Sequence, residues 1–455
     1  MSEEEIAKEI KQMTLNAGDS WADTVEAPVT TTSLLDEELD KQQHDPTNPL
    51  YSQQIKFENM KLKPELLKGI YSMHFKEPSS IQAKSLPIIL EEDVNLIAQS
   101  QSGTGKTACF GLAMLQAVDE SVNSTQAICI CPALELATQI YSVVKGLGQH
   151  TGIKIYAALK GQEIPRNLTD HIVIGTPGTV NEMIRRRSIN TKTVKILAVD
   201  EADQMLEEGN SQLRDQTILI KKGLPEKCRV LLFSATFKEE DDDKEGAEKE
   251  KKVLDFAEKV VPQPLKTILI PKEKLTLKHM KQFVVKCVDE TQKIQVIKDI
   301  YETLKVGQSI IFVNSKNYAE KLANVLQENK FTVSVTHGGL DPEVRKKVMS
   351  EFVAGTAKVL ITTNVLARGV DIATVTHVIN FDLPVVYDEK TPGSDREPDY
   401  ATYLHRVGRT ARFGKKGYAI NICRDREYRI IEAFRKNLQA EIKDVPPEDL
   451  DEHIK

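Results

Sequence analysis

From residue 55 onward the chain alternates short, nearly continuous apolar runs with longer stretches of helical periodicity. The first series of runs is NLIAQ (95–99), AICICP (127–132), HIVIGTP (171–177), VKILAVD (194–200) and RVLLFSAT (229–236). A second series follows: QSIIFVNS (308–315), FTVSVTHGG (331–339), KVLITTN (358–364), THVINFDLP (376–384) and GYAINIC (417–423). Runs this short, rich in Val and Ile and without polar alternation, suit strands buried on both faces of a parallel sheet. Gly, Pro, Ser and Thr gather at their C-terminal ends, where open α/β sheets place ligands. The pattern predicts two consecutive α/β units, residues 55–265 and 279–455. The Pro- and Lys-bearing segment QPLKTILIPKEKLTLK lies between them, and 266–278 reads as the linker. Two segments read as solvated insertions: 238–252, with 8 acids and 5 lysines, and 385–399.

Residues 1–54 differ in kind. They carry 12 Asp/Glu against 3 Lys/Arg, a net of −9, whereas the whole chain is −6. The remainder is therefore +3, so the acidic overall balance conceals a core able to meet phosphates. The composition of 1–54 predicts a mostly disordered, regulatory tail that holds basal activity down by lying against that core. Ile6, Ile10 and Met13 have helical spacing within it, and the only tryptophan, Trp21, is a candidate docking anchor. No run of about 18 apolar residues is present, which argues against membrane insertion. The acidic start lacks the order of a secretory signal. Six scattered cysteines without a CxxC pair read as reduced core thiols.

The chemistry sits at the strand ends. AQSQSGTGKT (98–107) follows a strand-like run and precedes a helical one, the context in which loop amides and a helix N-terminus wrap phosphates. Ser102, Gly103, Thr104 and Gly105 would form that cradle, Lys106 would neutralise the β/γ-phosphates, and Thr107 would offer its hydroxyl to Mg²⁺. Ser100 stands where the first glycine of such a loop is expected. VDEAD (199–203) ends another apolar run, so Asp200 would hold Mg²⁺ and Glu201 would orient or deprotonate the attacking water.

Over residues 55–450 these motifs, in this order, resemble the DEAD-box RNA helicases. The resemblance implies two tandem RecA-like parallel-sheet domains and RNA-stimulated ATP hydrolysis on closure. HFKEPSSIQ resembles the family's adenine-reading motif, with Gln82 on the base edge and Phe57 covering the base. Ser234, Ala235 and Thr236 resemble the motif coupling hydrolysis to strand separation. TTNVLARGVD and YLHRVGRTAR resemble the two motifs that complete the ATP site, with Asp371 on the ribose and Arg409 and Arg412 as arginine fingers. A finger is worth about 10³–10⁵ in rate, so the open form is expected to be nearly inactive. RNA-binding positions carried over by the resemblance are Pro132, Gly161, Thr176, Pro177, Gly178, Gly338, Arg345 and Thr363. They imply a grip on the RNA backbone with little sequence preference. Leu134, Thr179, Pro342 and Ala411 depart from the family's usual residues, implying weaker, less salt-dependent RNA binding.

DPTNPLYS, the TPGTV variant, the insertion before YLHR and the ending DLDEHIK further resemble one branch, which remodels messenger ribonucleoprotein at the cytoplasmic face of the nuclear pore. That implies a nucleus-and-cytoplasm location, messenger RNA as substrate, a cytoplasmic-filament nucleoporin as dock and an inositol-hexakisphosphate-dependent activator. A translation-initiation helicase and an ATP-dependent RNA clamp are the competing readings, because both use the same motifs.

Overall fold

The computed structural model describes residues 55–100, 103–207, 211–236, 256–269, 280–303, 307–364, 372, 374–386, 396–410 and 417–453. The acidic tail with Trp21, the charged segment 238–252, most of the second insertion, Ser102, Asp371, Ala411 and Arg412 lie outside them.

The first sheet contains β1 (Asn95–Gln99), β2 (Ala127–Ile130), β3 (Ile155–Ala158), β4 (Ile172–Gly175), β5 (Ile196–Val199), β6 (Arg229–Ser234) and β7 (Leu265–Leu269). Their order is β3-β4-β2-β5-β6-β1-β7, and every pairing is parallel. The second sheet repeats the plan with β8 (Met280–Cys287), β9 (Gln308–Phe312), β10 (Val333–Thr336), β11 (Val359–Thr362), β12 (Val375–Asn380), β13 (Gly417–Arg424) and β14 (Ile442–Asp444), ordered β10-β11-β9-β12-β13-β8-β14. The expected two tandem RecA-like units are what the chain forms.

The continuous apolar runs follow from burial on both faces. Leu96, Ala98, Ala127, Cys129, Ile196 and Ala198 enter one core, while Ile97, Ile128, Ile130, Leu197 and Val199 enter the other. Successive side chains point to opposite faces, so a strand sandwiched between two helix layers needs apolar residues at every position. All six cysteines are buried free thiols, and burial pushes the Cys109 thiol well above its ordinary range.

One boundary is corrected. The linker expected over 266–278 overlaps β7, which pairs in register with β1 from Asn95↔Leu265 to Gln99↔Leu269. An edge strand buries one side only. Lys266 and Thr267 are exposed in it, so its sequence lacks the continuous apolar run of the central strands. No helix among the described residues is long and apolar enough to cross a membrane.

Candidate ATP and RNA site at the interdomain cleft

Because the strands run parallel, the loops leaving their C-terminal ends share one edge of each sheet. The strand order then sorts them. Gly161, Thr176–Gly178 and Pro132 follow β3, β4 and β2 at one end, while Asp200 and Lys106 follow β5 and β1, and Ser234 ends β6, at the other. Residues expected on RNA and residues expected on nucleotide thus occupy adjacent halves of a single rim.

The phosphate loop is shaped by Gly103 and Gly105, at φ +80° and +86°, left-handed conformations that favour glycine. Helix Lys106–Ala117 begins directly after it. Lys106 is buried, and its Nζ donates to the Ser100 carbonyl at 2.6 Å. The Ser100 hydroxyl lies 2.7 Å from the Thr104 hydroxyl, so the residue replacing the usual glycine ties the loop to itself.

Gln82 braces the same loop. Its Oε1 accepts from the Ser79 amide at 2.9 Å and its Nε2 donates to the Gly105 carbonyl at 3.1 Å. A Cβ on Gly105 would fall 2.4 Å from that Nε2. The second Nε2 proton is the one left for a base edge. Phe57, expected to cover the base, is 1% exposed and packs in the first core, so it offers no open ring face in this structure.

Asp200 and Glu201 stand where β5 ends, both buried. Burial, then the adjacent Glu201 charge, pushes the Asp200 carboxyl up to about 7, against the pull of Lys106. Glu201 has φ +51° and ψ +48°, a left-handed backbone costly for a non-glycine residue. Its Oε2 is buried without a hydrogen-bond partner. Two buried carboxylates, one with an unsatisfied oxygen, form a hard-oxygen donor set short of positive charge. Such a set fits a hydrated divalent cation.

Asp203 links the motifs. Its Oδ1 accepts from the Ser234 hydroxyl at 2.8 Å and its Oδ2 from the Thr236 hydroxyl at 2.6 Å. His405, on helix Tyr400–Val407 of the second domain, brings Nε2 to 3.3 Å from Asp203 Oδ2 and Nδ1 to 3.8 Å from Glu201 Oε2. These three side chains could converge on a metal, but both Asp203 oxygens already serve the Ser-Ala-Thr turn. The group therefore reads as a link between domains. Arg409 is buried nearby, and its Nε donates to the His405 carbonyl at 3.0 Å.

A second interdomain contact joins Arg345, on helix Pro342–Val353, to Glu135, on helix Leu134–Leu147. The Nη2 nitrogen lies 2.5 and 2.7 Å from the two carboxylate oxygens. Arg345 was expected on an RNA phosphate; here its terminal nitrogen is taken by Glu135. Pro342, another departure from the family's pattern, opens its helix behind the Asp341 cap, a position that suits proline. Gly161, at φ +95°, Gly178 and Gly338 are exposed, as backbone contacts to RNA require, while Thr363 is half-buried. Asp203, Glu135 and His405 lie inside motifs legible in the sequence, but no role for them was.

Residues 79–243 match the model for the DEAD/DEAH box helicase, and residues 292–414 match that for the helicase conserved C-terminal domain. ATP-dependent RNA helicase DBP5 of Lodderomyces elongisporus is 41% identical over 420 residues, covering 91% of this chain and 78% of that protein. The chain belongs to the DEAD-box family of ATP-dependent RNA helicases. Among solved structures, S. cerevisiae Dbp5 bound to RNA and ADP BeF3 matches with TM-score 0.80 and 40% identity over 88% of this chain and 97% of that one. A variant S. cerevisiae Dbp5 bound to Nup159, variant Gle1, IP6 and ADP matches at 0.60 with 38% identity, over 86% and 97%. At near-equal identity, this chain superposes better on the RNA-bound helicase than on the partner-bound one.

Proposed function

We propose that this helicase remodels messenger ribonucleoprotein during mRNA export, working at the cytoplasmic face of the nuclear pore and cycling between nucleus and cytoplasm. The observation that carries its mechanism is His405 reaching across the cleft to Asp203 and Glu201. The hydrolytic end of the first domain is completed by the second, so turnover requires closure, and RNA gripped by both domains drives closure.

In this mechanism Lys106 neutralises the terminal phosphates of ATP and Gln82 reads the adenine edge. Thr107 and Asp200 would hold Mg²⁺, which would offset charge on the phosphate oxygens. Glu201 positions the attacking water and accepts its proton. Arg409 and Arg412 stabilise charge developing on the transferred phosphoryl group, and Asp371 holds the ribose. Asp203 ties the Ser234–Thr236 turn to His405, so that strand separation and hydrolysis occur together. Pro132, Gly161, Thr176, Pro177, Gly178, Gly338 and Thr363 grip the RNA backbone without reading sequence.

The export assignment is supported by the branch-specific segments of the sequence and by the relatives that carry the name Dbp5, one of them solved with Nup159, Gle1 and IP6. A pore-filament nucleoporin and an inositol-hexakisphosphate-dependent activator are the corresponding partners of this chain. ATPase rate with and without RNA, and with that activator, tests the chemistry. Rescue of an mRNA-export defect tests the pathway, and failure to rescue with intact RNA-stimulated turnover would favour the translation-initiation or clamp readings.

A further inference from the structure

β10 ends at Thr336, and the turn His337–Leu340 that follows carries Gly338, one of the positions read above as meeting the RNA backbone. Gly338 and Gly339 are exposed, whereas His337 is buried. The Leu340 amide donates to the His337 carbonyl at 3.1 Å, so the turn closes without help from a side chain. The imidazole adds two further contacts. Its Nδ1 accepts from the Gly339 amide at 3.2 Å, and its Nε2 lies 3.1 Å from Glu320 Oε1 on helix Lys316–Glu328.

These contacts assign the ring's proton. Nδ1 needs its lone pair to accept from an amide, so the neutral ring carries its hydrogen on Nε2 and donates it to the Glu320 carboxylate. Glu320 thereby holds the ring in the tautomer that the Gly339 amide requires. A Cβ on Gly339 would fall 3.2 Å from Nδ1 and 3.4 Å from the Lys316 side chain, so the turn lies close against the ring. An apolar side chain of similar volume would fill this buried place without desolvating a polar ring, so packing alone does not call for histidine.

The consequence lies in the peptide between the two glycines. It is trans, so its N–H and C=O point in opposite directions. With the Gly339 N–H turned in to the ring, the Gly338 carbonyl is turned away from it, and among the described residues that carbonyl accepts no hydrogen bond. A carbonyl can only accept. An ionised phosphate offers it no donor, but the 2′-hydroxyl of a ribose does.

We propose that His337, held by Glu320, is a positioning residue that aims the Gly338 carbonyl at a ribose 2′-hydroxyl and so sets a preference for RNA over DNA. The proposal rests on the reading of Gly338 as an RNA-facing position and names the chemical group that it meets.

The test uses the full chain with a single-stranded oligouridylate and an oligodeoxyuridylate of equal length, below the melting temperature of each variant. Fluorescence anisotropy gives the two affinities, and ATPase gives kcat and the RNA concentration for half-stimulation. His337→Phe keeps a buried ring but removes both nitrogens. RNA affinity should fall by about 2–10-fold, the scale of one hydrogen bond, while DNA affinity holds, so the loss falls on half-stimulation rather than on kcat. His337→Asn places Oδ1 where Nδ1 stood and should recover most of the RNA/DNA ratio. Glu320→Ala alters an exposed side chain, leaves the core intact and should lower the ratio in the same direction, which keeps the test decisive if His337→Phe does not fold. An unchanged ratio in the folded His337→Phe and Glu320→Ala variants, or RNA and DNA affinities that fall together, would overturn the proposal while the helicase reading stands. A wild-type chain whose ATPase ignores RNA would remove both.

Discussion

The Glu135–Arg345 pair offers the sharpest test of how the two domains hold each other. Separations of 2.5 and 2.7 Å put the charge centres roughly 4 Å apart, worth about 4 kcal/mol at an effective dielectric of 20. Both side chains are largely withdrawn from water, at 14% and 8% exposure, and that desolvation returns part of the gain. The net contribution is on the order of 2 kcal/mol, and it exists only when the domains are closed. Since about 1.4 kcal/mol is tenfold, losing the pair should lower the closed population by about 30-fold. Glu135→Gln and Arg345→Gln should therefore each raise the RNA concentration for half-maximal ATPase by about that factor, and the double variant should be little worse than either single one. The exchange Glu135→Arg with Arg345→Glu should recover much of the loss. A different pattern would refute the clasp. If the two losses add, if the exchange recovers nothing, and if Arg345→Gln alone lowers the salt slope of RNA binding by about 1, then Arg345 serves a phosphate instead.

Three further outcomes follow from the site and the core. Glu201→Gln should retain ATP and RNA binding while kcat falls by about 10²–10³, because the isosteric amide cannot accept the proton of water; near wild-type turnover would remove Glu201 from the chemistry. Gln82→Ala should weaken ATP binding and narrow the ATP/GTP preference, since one amide both braces Gly105 and reads the base; an unchanged preference with weaker binding would leave it as a brace alone. His377 is buried against Tyr418, stacked at 4.9 Å, and burial pulls it down to about 4 from about 6.5. The unfolded chain therefore binds this proton first. Stability should be highest above pH 6.5 and fall as pH drops towards 4, by about 3 kcal/mol in all. Thermal melting of wild type against His377→Phe, which keeps the stack, checks this; identical pH dependence would refute it.

What was legible in the sequence has local causes. A strand buried on both faces must be apolar at every position, so β1, β2, β4, β5 and β6 could be read directly, and their chemistry sits in the residues that follow. The phosphate loop and the Asp200–Glu201 pair stood out as candidates for that reason. Strands under mixed burial were not: β7, with Lys266 and Thr267 exposed, was taken for linker, and β8 carries exposed Lys281 and Lys286 within an otherwise buried run.

The tertiary structure decided which residues meet. Asp203 and His405 are 202 positions apart and Glu135 and Arg345 are 210 apart, so no local periodicity links them. Only the packing of two separately folded sheets brings them within 4 Å. The same holds at shorter range for His337, which by sequence is one polar residue before a pair of glycines. Its tautomer is set by Glu320, on the helix that packs beside β10. The sequence by itself determined which chemistry this protein carries, because that chemistry resides in short loops beside apolar strands. Where the chemistry is assembled, and which side chains hold it closed, follows from long-range contacts that only the folded pair of domains creates.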